Sequence, residues 1–134
     1  MDITFNNDPK LNIFLPLIYL SWQDNVLTKN EFSTINDFIK KQEWLTRAEK
    51  EFLRTKIDFS SPPGRSELSH WKEKIDRVFE GSAQPANLAE LGILIANTDR
   101  PAFSNEDIQQ IAPSFVVMEA QLGLLSREII SGFR

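Results

Sequence analysis

The chain has 134 residues, enough for one hydrophobic core, so we expect a single domain rather than a multidomain enzyme. With 15 Lys and Arg residues against 19 Asp and Glu residues, the net charge is −4, which argues against the basic surface of nucleic-acid-binding proteins. The absence of cysteine excludes disulfides and thiolate metal sites and is compatible with the cytoplasmic location that we expect.

No segment is expected to cross a membrane. The longest mainly apolar stretch covers residues 13–20 and contains Pro16, so it is far shorter than the roughly 20 residues that a spanning helix needs. The opening residues also lack the basic start and apolar region of a secretory signal.

Apolar residues recur at spacings of three and four along the chain, which predicts an all-α fold, a compact bundle of about six helices. The first helix should run from Asp8 and Pro9 to about Gln23, with apolar side chains around most of its circumference and hence a central position. Pro16 should kink this helix. The alternative is a shorter helix that begins at Pro16 after an extended arm over residues 9–15.

Capping patterns mark the starts of the second and third helices. Thr28 with Glu31, and Thr46 with Glu49, have the spacing of a capping box, in which each side chain satisfies a free backbone N–H group. The side chains expected to face the core are Phe32, Ile35, Phe38 and Ile39 in the second helix, and Ala48, Phe52 and Leu53 in the third.

Two loops, over residues 58–64 and 80–85, separate the remaining helices. Asn87 and Ser104 are the expected N-caps of the fifth and sixth helices. The expected apolar stripes are Leu68, Trp71, Ile75 and Val78 in the fourth helix, Leu88, Leu91, Leu94 and Ile95 in the fifth, and Ile108, Ile111, Phe115, Met118, Leu122, Leu125 and Ile129 in the last. The last stripe belongs to the core of one chain or, alternatively, forms a seam between subunits of an oligomer.

The turn within residues 20–31 and the turn within residues 95–107 follow the same order of helix end, acid, short turn, cap and helix. This order indicates a possible duplication of a helical hairpin.

Few residues could carry chemistry. His70 is the single histidine, and no nucleophile motif accompanies it, so we expect a histidine on the rim of a helix and no hydrolase site. Asp24 and Glu31 flank a tight turn and are candidate ligands of a cation, although a calcium-binding loop would need an acid at Ile35.

Three residues are candidates for contact with a partner. Trp44 lies in the connector before the third helix, where an aromatic ring can anchor an interface. Lys50 and Arg54 belong to a group of basic residues that could form a positive surface if the third and fourth helices lie side by side, together with Lys56, Lys72, Lys74 and Arg77. Interleaved acids instead favour a solvated face of mixed charge.

Residues 15–31 resemble the helix–turn–helix signature of TerB-like domains, in which an acid and usually a glycine precede an apolar residue and a distal glutamate. Asp24 and Glu31 match the acidic positions, and Asn25 stands in place of the glycine. The resemblance implies a TerB-like bundle and an alternative function as a free-standing domain that binds a cation or an unidentified partner.

Over nearly the whole chain, residues 44–53, 61–68, 90–94 and 122–126 resemble the helical N-terminal extension of certain bacterial acyl-CoA oxidases, in the acyl-CoA dehydrogenase family. In that family FAD, the acyl-CoA thioester and the catalytic glutamate belong to a downstream core. The resemblance therefore implies that residues 1–134 form the N-terminal module of a longer, flavin-dependent enzyme. It implies a non-catalytic interaction or assembly module without a cofactor, whose partner is the oxidase core or another subunit.

Overall fold

The computed structural model describes residues 2–22, 28–58, 60–81, 84–98 and 100–122, and every regular element within these ranges is helical. The elements in chain order are a 3₁₀-helix over Pro9–Phe14 and the α-helices α1 (Leu15–Ser21), α2 (Lys29–Lys40), α3 (Arg47–Thr55), α4 (Arg65–Glu80), α5 (Leu88–Ala96) and α6 (Asn105–Gln121). The expected all-α bundle of six helices is confirmed. Within the described ranges, no helix is both long and apolar enough to cross a bilayer.

The first helix differs from the expectation of one kinked helix. Residues Pro9–Phe14 form a 3₁₀-helix, and the α-helix starts only at Leu15 with Pro16 in its first turn. Proline is tolerated there because the first N–H groups of a helix have no partner within the helix. The alternative prediction of a shorter α-helix with Pro16 at its start therefore agrees better with the structure. The predicted extended arm before it is wrong, because this segment is a 3₁₀-helix.

The expected helix starts are confirmed. Thr28 and Thr46 accept hydrogen bonds from the N–H groups three residues on, at 3.2 and 3.1 Å, and the carboxylates of Glu31 and Glu49 accept from the capping residues. The side chains of Asn87 and Ser104 likewise accept hydrogen bonds from the N–H groups three residues on.

The central helix of the bundle is α5. It packs against the 3₁₀-helix, α1, α4 and α6, and its buried residues form a wide face, with exposed Glu90 on the opposite side. Besides the expected stripe, in which Leu94 is only half-buried, the structure buries Ala89, Gly92, Ile93 and Ala96. A helix with so wide an apolar face suits this central position.

Gly92 sets the distance between α5 and the 3₁₀-helix. A Cβ atom at this position would lie 2.4 Å from the carbonyl oxygen of Ile13 and 2.7 Å from its Cα atom. The backbones of the two helices therefore touch where any larger residue would separate them.

Aromatic rings join the 3₁₀-helix to α2 and α6. The centroid of the Phe115 ring lies 5.0 Å from that of Phe14 and 4.8 Å from that of Phe38. Phe14 and Phe115 are almost fully buried, and Phe38 is half-buried. These edge-on and tilted pairs are geometries that aromatic rings favour.

The inward face of α3 differs from the prediction at one residue. Leu53 is buried and Phe52 packs half-buried against the core, as expected, but Ala48 is exposed and Glu49 is 5% exposed in its place. The Glu49 carboxylate accepts the capping hydrogen bond from Thr46 at 2.8 Å and pairs with the Lys10 ammonium at 3.2 Å. A buried carboxylate is tolerated here because both of these donors compensate its lost hydration.

The last helix is buried at Phe115 and Met118. It also buries Glu119, whose carboxylate accepts a hydrogen bond of 2.9 Å from the backbone N–H of Ala89 in the first turn of α5. Leu125 and Ile129, the last members of the expected stripe, lie outside the described residues, so the seam between subunits stays a prediction.

We expect Gly92→Ala to lower the free energy of unfolding by about 1–3 kcal/mol, because the added methyl group collides with the backbone of Ile13 and overpacking costs more than helix propensity restores. Urea denaturation followed by circular dichroism measures the change. Gly81→Ala is the matched control, since its Cβ atom would lie 3.5 Å from the nearest carbonyl oxygen, an ordinary contact. A Gly92→Ala protein as stable as the control would contradict the close approach.

Acid should weaken the fold partly through Glu49. Burial raises the pKa of its carboxyl, but the hydrogen bond from Thr46 and the Lys10 ammonium outweigh burial and hold the pKa below its ordinary value. Because folding lowers this pKa, the stabilisation is fully present above the unfolded-state pKa and disappears as the pH falls through the folded-state pKa.

Glu49→Gln should therefore reduce stability by about 1.5–3 kcal/mol at pH 7 and by much less at pH 3, in urea denaturation measured across this range. Glu51→Gln on the same helix is the control, because its pair with Arg54 is exposed and contributes little. An equal loss at both pH values would contradict the ionic role of Glu49.

Candidate functional site

A cleft of about 330 Å³ lies between the N-terminal segment, α4 and the connection that follows α5. We call it the α4–α5 cleft. Its lining residues are Phe5, Asn6, Pro9, Asn12, His70, Glu73, Lys74, Arg77, Ile95, Ala96, Thr98 and Arg100.

The N-terminal wall is held in place by Asn12. Its side-chain Nδ2 donates hydrogen bonds to the carbonyl oxygens of Phe5 and Pro9, at 3.0 and 2.9 Å. The Phe5 ring packs edge-on against Phe52 and Trp71, with centroids 5.2 and 6.1 Å away. These contacts fold the N-terminal segment back over the bundle.

The second wall is one face of α4. His70, Glu73, Lys74 and Arg77 are spaced by three or four residues, so they share a face of the helix. The Lys74 ammonium lies 5.7 Å from the centroid of the Phe5 ring on the facing wall. This contact connects the two walls through a cation–π interaction.

The remaining side of the cleft is formed by the end of α5 and the residues after it. Ile95 and Ala96 are buried and provide an apolar floor, and Arg100 is exposed at the rim. Ahead of α6, the side-chain oxygen of Asn97 accepts hydrogen bonds from the N–H groups of Ala102 and Phe103, at 2.8 and 3.1 Å.

Two guanidinium groups in the cleft lack acidic partners. Within the described ranges, Arg77 and Arg100 form no ion pair, whereas Lys10, Arg54, Lys56 and Lys72 each pair with a carboxylate. Glu73 is the one acidic side chain among the described residues of the lining. The cleft therefore presents positive charge in a chain whose net charge is −4.

The wall of the cleft also contains an unsatisfied acceptor. Asn12 is 4% exposed, and its side-chain oxygen has less than 1 Å² accessible and no hydrogen-bond partner in the described part of the chain. Both hydrogens on Nδ2 are used, so Oδ1 can be satisfied only by an N–H or O–H donor from elsewhere.

Only one of the two residues proposed to bind a cation belongs to the described part of the chain. Asp24 lies outside the described residues, and the Glu31 carboxylate accepts the capping hydrogen bond from Thr28 at 3.1 Å. Among the residues that the structure describes, no group of three or more His, Asp or Glu side chains could hold a metal ion. Cation binding by Asp24 and Glu31 stays a prediction.

Trp44 is half-buried, in line with a partly exposed ring. Its ring stacks on Phe14 and meets Phe103 edge-on, each at a centroid distance of 6.0 Å. Its Nε1 donates a hydrogen bond of 3.0 Å to the side chain of Gln42. Most of these contacts hold the aromatic cluster together.

Lys50 and Arg54 also contact their own chain. The Lys50 ammonium donates a hydrogen bond of 2.8 Å to the carbonyl oxygen of Lys40 at the end of α2, which favours a positive charge. Arg54 pairs with Glu51 at 3.1 Å and lines a second, more open cleft of about 490 Å³ between α2 and α3. An interface at Trp44, Lys50 and Arg54 stays a prediction.

Sequence reasoning missed the α4–α5 cleft. It grouped Arg77 with the lysines of α4 as a face beside α3, whereas the structure places it near Arg100 and the N-terminal segment. The role of Asn12 could have been predicted, because a single amide side chain within the apolar run 11–18 indicates a buried polar group with specific hydrogen bonds.

Comparison of the chain with protein-family models, with curated proteins and with solved structures found no match. The resemblances to TerB-like domains and to the extension of acyl-CoA oxidases therefore stay predictions.

Proposed function

We propose that the chain is a helical interaction module that binds an acidic group of a protein partner in the α4–α5 cleft. The observation that carries the proposal is the pair of guanidinium groups of Arg77 and Arg100, which line one cleft without carboxylate partners in the described part of the chain.

The chemistry of the cleft favours a carboxylate. A guanidinium group presents planar, paired N–H donors that match the two oxygens of a carboxylate, and such charge-assisted hydrogen bonds are stronger than neutral ones. The apolar floor formed by Ile95 and Ala96 excludes water from beneath the bound group and strengthens these contacts.

The size of the cleft favours a small part of a partner. Its volume of about 330 Å³ is at the lower end of the ligand-pocket range, roughly 300–1,000 Å³. A group of one or two amino-acid residues suits this volume better than a large cofactor does.

The proposal keeps the kind of partner that the sequence resemblance implies, namely an oxidase core or another subunit. It assigns no catalytic residue and no cofactor to the described part of the chain. Binding through two arginines should also weaken with rising ionic strength, because salt screens exposed charges.

The test is a fluorescein-labelled octapeptide that carries two glutamates among alanines and serines and ends in a carboxamide, so that its only backbone terminus near the cleft is uncharged. We expect the double variant Arg77→Gln/Arg100→Gln to bind this peptide at least about tenfold more weakly in fluorescence anisotropy, because it loses two charged donors. Circular dichroism checks that the fold is kept.

The control is Arg47→Gln/Arg65→Gln, which removes the same charge at exposed positions outside the α4–α5 cleft. It should bind the peptide nearly as the natural sequence does. Equal weakening in both double variants would show that only net charge matters and would contradict the proposal.

A further inference from the structure

We infer that the acidic group recognised by the α4–α5 cleft is the C-terminal carboxylate of a polypeptide, bound together with the N–H group and side chain of its last residue. This inference rests on the proposed function and narrows its ligand. Three independent features of the cleft carry it: its charges, its floor and its unsatisfied acceptor.

The charges favour a ligand with one carboxylate. Arg77 and Arg100 attract an anion, but Glu73 shares a helix face with Arg77 and repels further negative charge. A run of acidic side chains would bring several carboxylates close to Glu73. A chain terminus brings one.

The floor favours an apolar side chain beside the carboxylate. Phe5, Ile95 and Ala96 line the cleft with hydrocarbon side chains and are almost fully buried, at 7%, 6% and 2% exposed. The last residue of a polypeptide places a side chain one bond from the carbon that bears the carboxylate. An apolar residue at this position would cover the floor while its carboxylate meets the arginines.

The acceptor favours a donor close to the carboxylate. The amide of Asn12 is fixed in orientation, because its Nδ2 binds the carbonyl oxygens of Phe5 and Pro9, and Oδ1 is left without a partner in the described part of the chain. The last residue of a polypeptide has an amide N–H on the same carbon atom that bears the carboxylate. A single bound residue therefore supplies both the anion for the arginines and the donor for Asn12.

Binding of this kind requires the cleft to adjust. Less than 1 Å² of the Asn12 oxygen is accessible, so neighbouring side chains must shift before a donor reaches it. The shift is driven only if the ligand contacts the opened state better than the closed one. The N–H contact should consequently contribute less to affinity than the carboxylate does.

The same chemistry of a carboxylate next to a donor also occurs in free amino acids, whose ammonium group could approach Glu73. We assign the cleft to a polypeptide terminus because the proposed function is contact with a protein. The experiment separates these two sources.

The experiment uses the full chain and three N-terminally fluorescein-labelled peptides of sequence Gly-Ser-Gly-Ser-Ala-Leu, with free leucine as a competitor. The first peptide ends in a carboxylate and the second in a carboxamide. The third has a free carboxylate and an N-methyl group on the last residue, which removes the donor for Asn12 without changing the protein.

Fluorescence anisotropy should show saturable binding of the first peptide, at least tenfold weaker binding of the carboxamide, and a loss of several-fold for the N-methyl peptide. The double variant Arg77→Gln/Arg100→Gln should abolish the preference for the carboxylate, whereas Arg47→Gln/Arg65→Gln should keep it.

Equal binding of the carboxylate and carboxamide peptides, or no binding of either, would overturn the inference. Equal binding of the N-methyl peptide would overturn the contact with Asn12. Free leucine that competes with a lower dissociation constant than the first peptide would reassign the cleft to a small amino acid. The proposed function is tested separately by the glutamate peptide, so it can survive each of these results.

Discussion

The contact between Gly92 and the backbone of Ile13 is the constraint on which the rest of the structure depends. It lets the central helix α5 lie directly against the 3₁₀-helix, with the backbone of one helix touching that of the other. Asn12 of the same 3₁₀-helix holds the N-terminal segment through the carbonyl oxygens of Phe5 and Pro9, and the Phe5 ring packs on Trp71 of α4. The N-terminal wall of the α4–α5 cleft is thus joined to its floor in α5 through this close approach.

Buried polar groups fix the positions of the helices relative to one another, because their hydrogen bonds are directional and apolar contacts are not. Glu49 links α3 to Lys10 on the 3₁₀-helix, and Glu119 links α6 to the start of α5. Asn12 links the 3₁₀-helix to the N-terminal segment through two carbonyl oxygens. Each of these bonds has one favoured geometry, and leaving either partner unpaired in the interior costs free energy. Together they define where the walls of the cleft stand.

Structural features that depend on residues three or four positions apart can be predicted from the sequence. The caps at Thr28 and Thr46 are of this kind, because the side chain and the backbone group that it satisfies lie in the same turn. The burial of Glu49 was missed, because it depends on Lys10, far away in the chain. The cleft was missed for the same reason: Asn12, Arg77 and Arg100 meet only after the bundle has folded. Patterns of neighbouring residues do not indicate contacts between residues that are distant in the sequence.

The central claim is that Arg77 and Arg100 together receive a carboxylate. The most direct measurement is a nuclear magnetic resonance titration that follows the side-chain Nε–H signals of the arginines while a peptide with a free C-terminus is added. The account predicts that the signals of Arg77 and Arg100 shift together with one dissociation constant, while those of Arg47 and Arg65 stay in place. Shifts of equal size at all four arginines, or shifts confined to Arg47 and Arg65, would contradict it.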